Sequence, residues 1–268
     1  MPLKKFSLPP DLVNGVGRYR SWMVVLSIPQ ERVKQMLPRQ LELAPQDIAP
    51  PGKHPLLLMF GHQLNVSIHL GSTDLFDLDY LEFVLEVPYT QWKSTRAAYR
   101  GPLLFSPRLW LNKTFPLMLG RFYGFAKERA NMALDQDRYL IAGWETNKPL
   151  ISGHFKAIGD SGPTANFPLF EQALSRLFNQ PLVGQTRLGP LPGPFVCSIF
   201  DWHFDRAKIQ AVEATVNIAQ PFVPGLPIGE YSTPGLDTDA LGAFHLDTRW
   251  QLTEPMDCAD VDRLRGFR

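Results

Sequence analysis

The sequence predicts a mainly β protein of the α+β class, an antiparallel, closed or cone-like β-barrel with a few peripheral helices. Three observations carry this expectation. Short runs rich in β-branched and aromatic residues recur along the whole chain, many alternating apolar and polar with period two. Only two stretches show convincing helical periodicity. The 25 prolines fall between the apolar runs, as loop punctuation, and not in one tract. Many strands with few helices favour a barrel over a layered α/β fold.

Taken in order, residues 1–17 read as an N-terminal arm, and 18–268 as a single domain. Arg18 to Ile28 contains Trp22-Met23-Val24-Val25-Leu26, a buried-strand pattern. Pro29 suits a first helical turn, Val33, Met36 and Leu37 share one face, and Pro38 ends the helix. Leu41 to Leu43 and Leu56 to His69 read as strands. Asp79 to Tyr89 is the clearest strand: Leu81, Phe83, Leu85 and Val87 point one way, and Tyr80, Glu82 and Glu86 the other. Leu103 to Phe105 and Leu109 to Leu111 continue the strands. Arg138 to Trp144 and Pro149 to Ala157 read as a hairpin about Thr146-Asn147-Lys148. Phe167 to Phe178 carries the best helical pattern. After the turn cluster Gly189 to Pro194, strands resume at Phe195 to Phe204, Ile209 to Ile218 and Ala243 to Leu252.

Composition narrows the function classes. With 268 residues the chain can bury a large core, and a net charge of +1 without a basic stripe argues against nucleic acid. No apolar run spans a bilayer and none follows Lys4-Lys5 as in a signal peptide, so a cytoplasmic, non-membrane protein is expected. The two cysteines, Cys197 and Cys258, are expected as free thiols of a reducing compartment. The six histidines lack metal-site spacing, so no metal is expected, and Asp201-Trp202-His203-Phe204-Asp205 reads as a strand with one wet face. There is no P-loop, no Gly-x-Ser-x-Gly elbow and no dinucleotide fingerprint.

The stretch Leu119 to Arg129 stands out because Lys127 follows Phe122, Tyr123 and Phe125 in a glycine-containing turn, with strand patterns on either side. A free lysine with a pKa of about 10.4 has well under a thousandth of its amine neutral at pH 7. Burial behind aromatic walls can lower that pKa by roughly four units and make the amine a nucleophile. The alternative is a solvated Lys-Glu-Arg surface turn.

Three blocks, in order, resemble the acetoacetate decarboxylase family. They are Arg32 to Glu42, with its Leu37-Pro38 and Leu41-Glu42; Tyr80-Leu81-Glu82 followed by Val84 to Pro88; and Gly120-Arg121 followed by Tyr123-Gly124-Phe125-Ala126-Lys127-Glu128. The likeness spans Arg18 to Lys156. It implies a Schiff-base decarboxylase of a small β-keto acid, needing no metal or organic cofactor, with a homo-oligomer admitted. Lys127 would be the nucleophile and Glu82 a catalytic carboxylate. Arg20 or Arg18 would anchor the substrate carboxylate, Tyr123 and Phe125 would wall the pocket, and Arg121 would be structural. The chain departs from the pattern: Glu128 replaces the family's second lysine, Ala126 its proline and Phe122 its acid, and the Gly-to-Lys interval is one residue shorter. A carboxylate facing Lys127 would raise the lysine pKa, the opposite of what catalysis needs. Arg129 could replace the missing cation. These changes leave open a Schiff-base aldolase or dehydratase acting on a larger keto acid, and a non-catalytic small-molecule binder of the same fold.

Overall fold

The computed structural model describes residues 8, 12–70, 73–188, 191–233 and 242–262. Fourteen strands form one sheet: β1 (Val13–Pro29), β2 (Leu41–Leu43), β3 (Lys53–Leu70), β4 (Thr73–Trp92), β5 (Leu103–Leu111), β6 (Lys127–Asp135) and β7 (Arg138–Gly143), then β8 (Pro149–Pro163), β9 (Leu182–Leu188), β10 (Leu191–Ser198), β11 (Phe200–Trp202), β12 (Lys208–Ile218), β13 (Gly229–Thr233) and β14 (Ala243–Thr253). The helical segments are short: α1 (Gln30–Val33), α2 (Thr114–Phe122) and α3 (Ser175–Phe178). Among the described residues, no helix is long and apolar enough to cross a membrane.

Hydrogen-bonded pairing runs β5–β6–β7–β8–β12–β14–β1–β3–β4, and β4 pairs back onto β5. Almost every pairing is antiparallel. The exceptions are β5–β6 and β5–β9, which are parallel. Parallel neighbours need a crossover, and α2 supplies it between β5 and β6.

Strand alternation divides the buried side chains into two large clusters. One takes a residue from every strand of the ring, from Val24 of β1 through Phe83 of β4 to Ala243 of β14. Phe60 is its hub, with ring centroids 5.1 Å from Phe83, 5.2 Å from Phe155 and 5.6 Å from Tyr139. The other cluster lies on the opposite face, where Tyr19, Met59, Tyr80, Val84 and Leu109 meet α3, β11 and the residues before α3. Both faces of β1, β3 and β4 are therefore buried.

The structure corrects several expectations. β1 begins at Val13, inside the stretch read as an arm, and Leu8 is buried with its N–H on Asp201 at 3.1 Å. The rest of that arm, and Gly189 and Pro190 of the turn cluster, lie outside the described residues. Phe167 to Phe178 does not form one α-helix. A π-helical turn over Phe170–Leu174 precedes α3, and it brings Phe170, Leu174, Leu177 and Phe178 together in the core. The stretch before Lys127, read as a turn after a strand pattern, contains the helix α2, whose periodicity Pro116 and Gly120 interrupt. β11 ends at Trp202, a turn follows over Phe204–Arg206, and Asp201 is buried, so Asp201, His203 and Asp205 do not share one wet strand face. Cys197 and Cys258 are not free thiols but a disulfide. Their separation of 61 residues carries no pairing signal; the Cys197–Met256 bridge brings the chain end alongside β10. The expected reducing compartment loses the support it drew from free cysteines.

Candidate active site

A cavity of about 100 Å³ lies within the cluster that faces away from the ring. β4 builds one wall. Residues two apart on a strand share a face, so Tyr80, Glu82, Val84 and Glu86 all line the cavity, while Phe83, Leu85 and Val87 join the ring cluster. The grouping of Tyr80, Glu82 and Glu86 was visible in the sequence. Their face is buried, however, because α2, α3 and β11 cover it.

Lys127 is the first residue of β6, in register with Leu109 of β5, which pairs in turn with Val84 of β4. It is 7% exposed, and its Nζ lies 5.4 Å from the ring centres of both Tyr80 and Phe125. Among the described residues the amine makes no ion pair and no hydrogen bond. Its carbonyl accepts from Nε and Nη2 of Arg121, each at 3.3 Å, so Arg121 ties the end of α2 to the start of β6. Gly124, at φ +77°, makes the reversal between them. Gly120 passes directly over the lysine: a Cβ there would fall 2.3 Å from Lys127 Cε. A side chain there would have to displace the end of the lysine. Tyr123 and Phe125 are stacked, 6.1 Å apart, and both line the cavity. The Phe122 side chain lies outside the description.

Glu128 is turned away. It forms an ion pair with Arg108 and accepts from Trp110 Nε1 at 3.3 Å, on the face that belongs to the ring cluster. The alternation that buries Lys127 sends its neighbour outward. Arg129 is no replacement cation either. Its guanidinium bonds Thr114 Oγ1 at 2.6 Å and lies 3.7 Å over the Trp144 ring.

Glu82 and Glu86 are 5% and 6% exposed. Glu82 Oε1 accepts from Gln63 Nε2 at 2.8 Å, and Gln63 Oε1 accepts from Trp250 Nε1 at 2.9 Å, which orients the amide at both ends. The Tyr19 hydroxyl is buried near Glu82, with no group meeting it at hydrogen-bond geometry. Glu86 makes no hydrogen bond among the described residues.

Burial sets the proton affinities. It pushes the Lys127 amine below the usual lysine range, and the nearby Glu82 only partly opposes this. Burial raises Glu82, with Lys127 and Gln63 pulling the other way. Burial, with Glu82 adding to it, raises Glu86 to about 8.

Arg18 and Arg20 do not line the cavity. Both grip Asp247: Arg18 through Nε and Nη2 at 2.6 Å, Arg20 through Nε at 3.0 Å. Of these three neighbours on β1 it is Tyr19, between the two arginines, that lines the cavity, together with Gly15 earlier in the strand. One step of register decides this, because β1 alternates like any strand. No arginine lines the cavity among the described residues, so Lys127 is its lone basic side chain. Sequence reasoning missed Tyr19, Gln63 and Trp250; nothing local marks them, since the Gln63–Trp250 contact joins residues 187 apart. Among the described residues no metal-binding group of His, Cys, Asp or Glu is assembled.

No family model and no curated protein sequence matches the chain. Solved structures do. The enduracididine biosynthesis enzyme MppR complexed with pyruvate superposes with a TM-score of 0.60 at 13% identity, over 94% of this chain and 91% of that one. Acetoacetate decarboxylase from Legionella pneumophila gives 0.60 at 12% identity, over 95% and 89%. An acetoacetate decarboxylase-like enzyme from Sphingomonas wittichii gives 0.60 at 14% identity, over 95% and 96%. The chain has the acetoacetate decarboxylase-like fold.

Proposed function

We propose that the chain is a Schiff-base-forming carbon–carbon lyase that decarboxylates a small β-keto acid at Lys127. The ring of strands is read as a closed barrel that carries this site on its outer face. The observation that carries the reading is the Lys127 amine, buried without an ion pair in a cavity shared with two buried carboxyl groups. In most lysines the proton blocks the nitrogen lone pair. Here desolvation lowers the proton affinity, with no second cation needed.

The neutral amine attacks the substrate carbonyl carbon, and the oxygen, protonated from solvent, leaves as water to give an iminium. The bond to the carboxylate then breaks, carbon dioxide leaves, and the electron pair enters the iminium to form an enamine. Glu82 protonates the enamine carbon. Water then hydrolyses the resulting iminium, freeing the ketone and Lys127. Gln63 and Trp250 hold Glu82 toward the reacting atoms. Tyr123 and Phe125 exclude water from the amine.

A second reading is condensation of a keto acid with an aldehyde through the same enamine. It is favoured by one neighbour of the same fold, MppR, complexed with the condensation product of pyruvate and imidazole 4-carboxaldehyde. Both readings require an adduct. Incubation with acetoacetate followed by borohydride should add mass to the Lys127 peptide, and no added mass with acetoacetate, acetone or pyruvate would falsify the Schiff base. Release of carbon dioxide from acetoacetate separates the first reading from the second.

A further inference from the structure

A β-keto acid brings a carboxylate into the cavity, and the cavity offers it no guanidinium. Arg18 and Arg20 are committed to Asp247 on the other face of β1. Lys127 is consumed as the iminium. Of the other polar side chains, Gln63 already uses both ends of its amide. Ser106 Oγ is turned to the Leu85 carbonyl at 3.2 Å. Glu86 remains. It is 6% exposed, it lines the cavity on the same face of β4 as Glu82, and its carboxyl has no hydrogen-bond partner among the described residues.

We propose that the carboxylic acid of Glu86 donates the hydrogen bond that holds the substrate carboxylate, in place of an arginine. The proposal rests on the Schiff-base reading and names the group that selects an acid over a plain ketone. An ionised Glu86 would repel the same substrate, so binding requires its proton. Its environment keeps that proton at neutral pH: Glu82 and Tyr80 face the cavity from β4, Tyr19 from β1, Lys127 from β6 and Tyr123 from the end of α2. Of these Lys127 alone can carry positive charge, and it does not hold Glu86 down; burial and Glu82 raise Glu86 to about 8. β3 and β5 contribute Gln63 and Ser106, which do not titrate.

The test compares acetoacetate with acetone, which forms the same iminium but has no carboxylate. For each, the concentration giving half-maximal Lys127 adduct is measured by borohydride reduction and mass spectrometry between pH 6 and pH 10, counting adducts with or without the carboxyl group. In the wild type, the preference for acetoacetate should fall as pH rises through the Glu86 value of about 8. Glu86→Leu should weaken acetoacetate roughly ten- to a hundredfold, the size of a lost hydrogen bond to a charged group, and leave acetone within about twofold. Glu86→Gln keeps a neutral donor, so it should retain most of the preference and lose its fall at high pH. A Glu86→Leu variant with unchanged preference, or a Glu86→Gln variant that keeps the fall, overturns the role of Glu86 while the Schiff base stands. An adduct with neither ligand removes both.

Discussion

Lys127 and Glu128 are neighbours in the chain and occupy different media. Lys127 lies in a cavity without a counter-ion at salt-bridge distance, and Glu128 is half-exposed in an ion pair with Arg108. The same contrast extends over the whole of β4. One face carries Phe83, Leu85 and Val87 into a cluster made of aliphatic and aromatic groups; the other carries Glu82 and Glu86 into the cavity. The ring-facing side is packed with apolar groups, and the opposite side buries polar ones. A buried carboxyl or amine costs stability unless it stays neutral or is paired, so the cost falls on one face and is supported by the other.

The contrast can be broken most sharply by exchanging losses between the faces. Lys127→Met should abolish adduct formation and lower turnover at least a thousandfold, while leaving thermal stability unchanged or raised, because an apolar chain replaces a buried amine. Phe60→Ala should do the reverse. It removes the hub of the ring cluster, and urea unfolding should show a loss of about 3–5 kcal/mol. Turnover by the fraction still folded should hardly change. Loss of turnover in Phe60→Ala without loss of stability would erase the distinction.

A smaller effect is the pH dependence of stability. Glu86 has a folded-state value of about 8 against an ordinary 4.5, so between those values the folded chain binds a proton that the unfolded chain has released. Stability from this group is fully present below the unfolded value and is lost as pH rises toward 8, with a slope of up to about 1.4 kcal/mol per pH unit. Lys127 acts in the opposite sense. Its folded value is lowered, so stability is regained as pH rises from there toward the ordinary lysine value. Urea midpoints for wild type and Glu86→Gln across pH 5 to pH 9 should differ by the Glu86 slope alone. The smallest effect belongs to Glu128→Gln: turnover within about threefold of wild type, and a surface ion pair loss of less than about 1 kcal/mol. A large gain or loss of turnover there would mean that Glu128 senses the amine after all.

Much of the fold was legible because alternation is local. β1, β3, β4, β12 and β14 all fall on apolar runs read directly from the chain. The lining of the cavity was legible where it followed the same rule, at the shared face of Glu82 and Glu86, and Lys127 was singled out by the aromatic residues before it. Reading failed where the answer depends on distant chain. Nothing local shows that both faces of β4 are covered, which is why its acidic face suited water as well as a cavity. The pairing of Cys197 with Cys258 depends on how the segment after β14 returns beside β10, through the Cys197–Met256 bridge. Tyr19 differs from Arg18 and Arg20 by a single step along β1, and a motif match that is uncertain by one residue cannot choose between faces. The helix α2 was hidden by Pro116 and Gly120, and Gly120 is the residue that lets the helix cross the lysine.

The grip of Arg18 and Arg20 on one carboxylate has a consequence for how the chain avoids error. Asp247 accepts from two side chains two residues apart on β1, and β14 pairs Asp247 opposite Arg20. A slip of β1 by one residue would break these charge-assisted bonds together and carry a guanidinium into the cavity in place of Tyr19. The outer clamp therefore opposes both one-residue slips of β1, each of which would bring an arginine to the position of Tyr19 in the cavity wall.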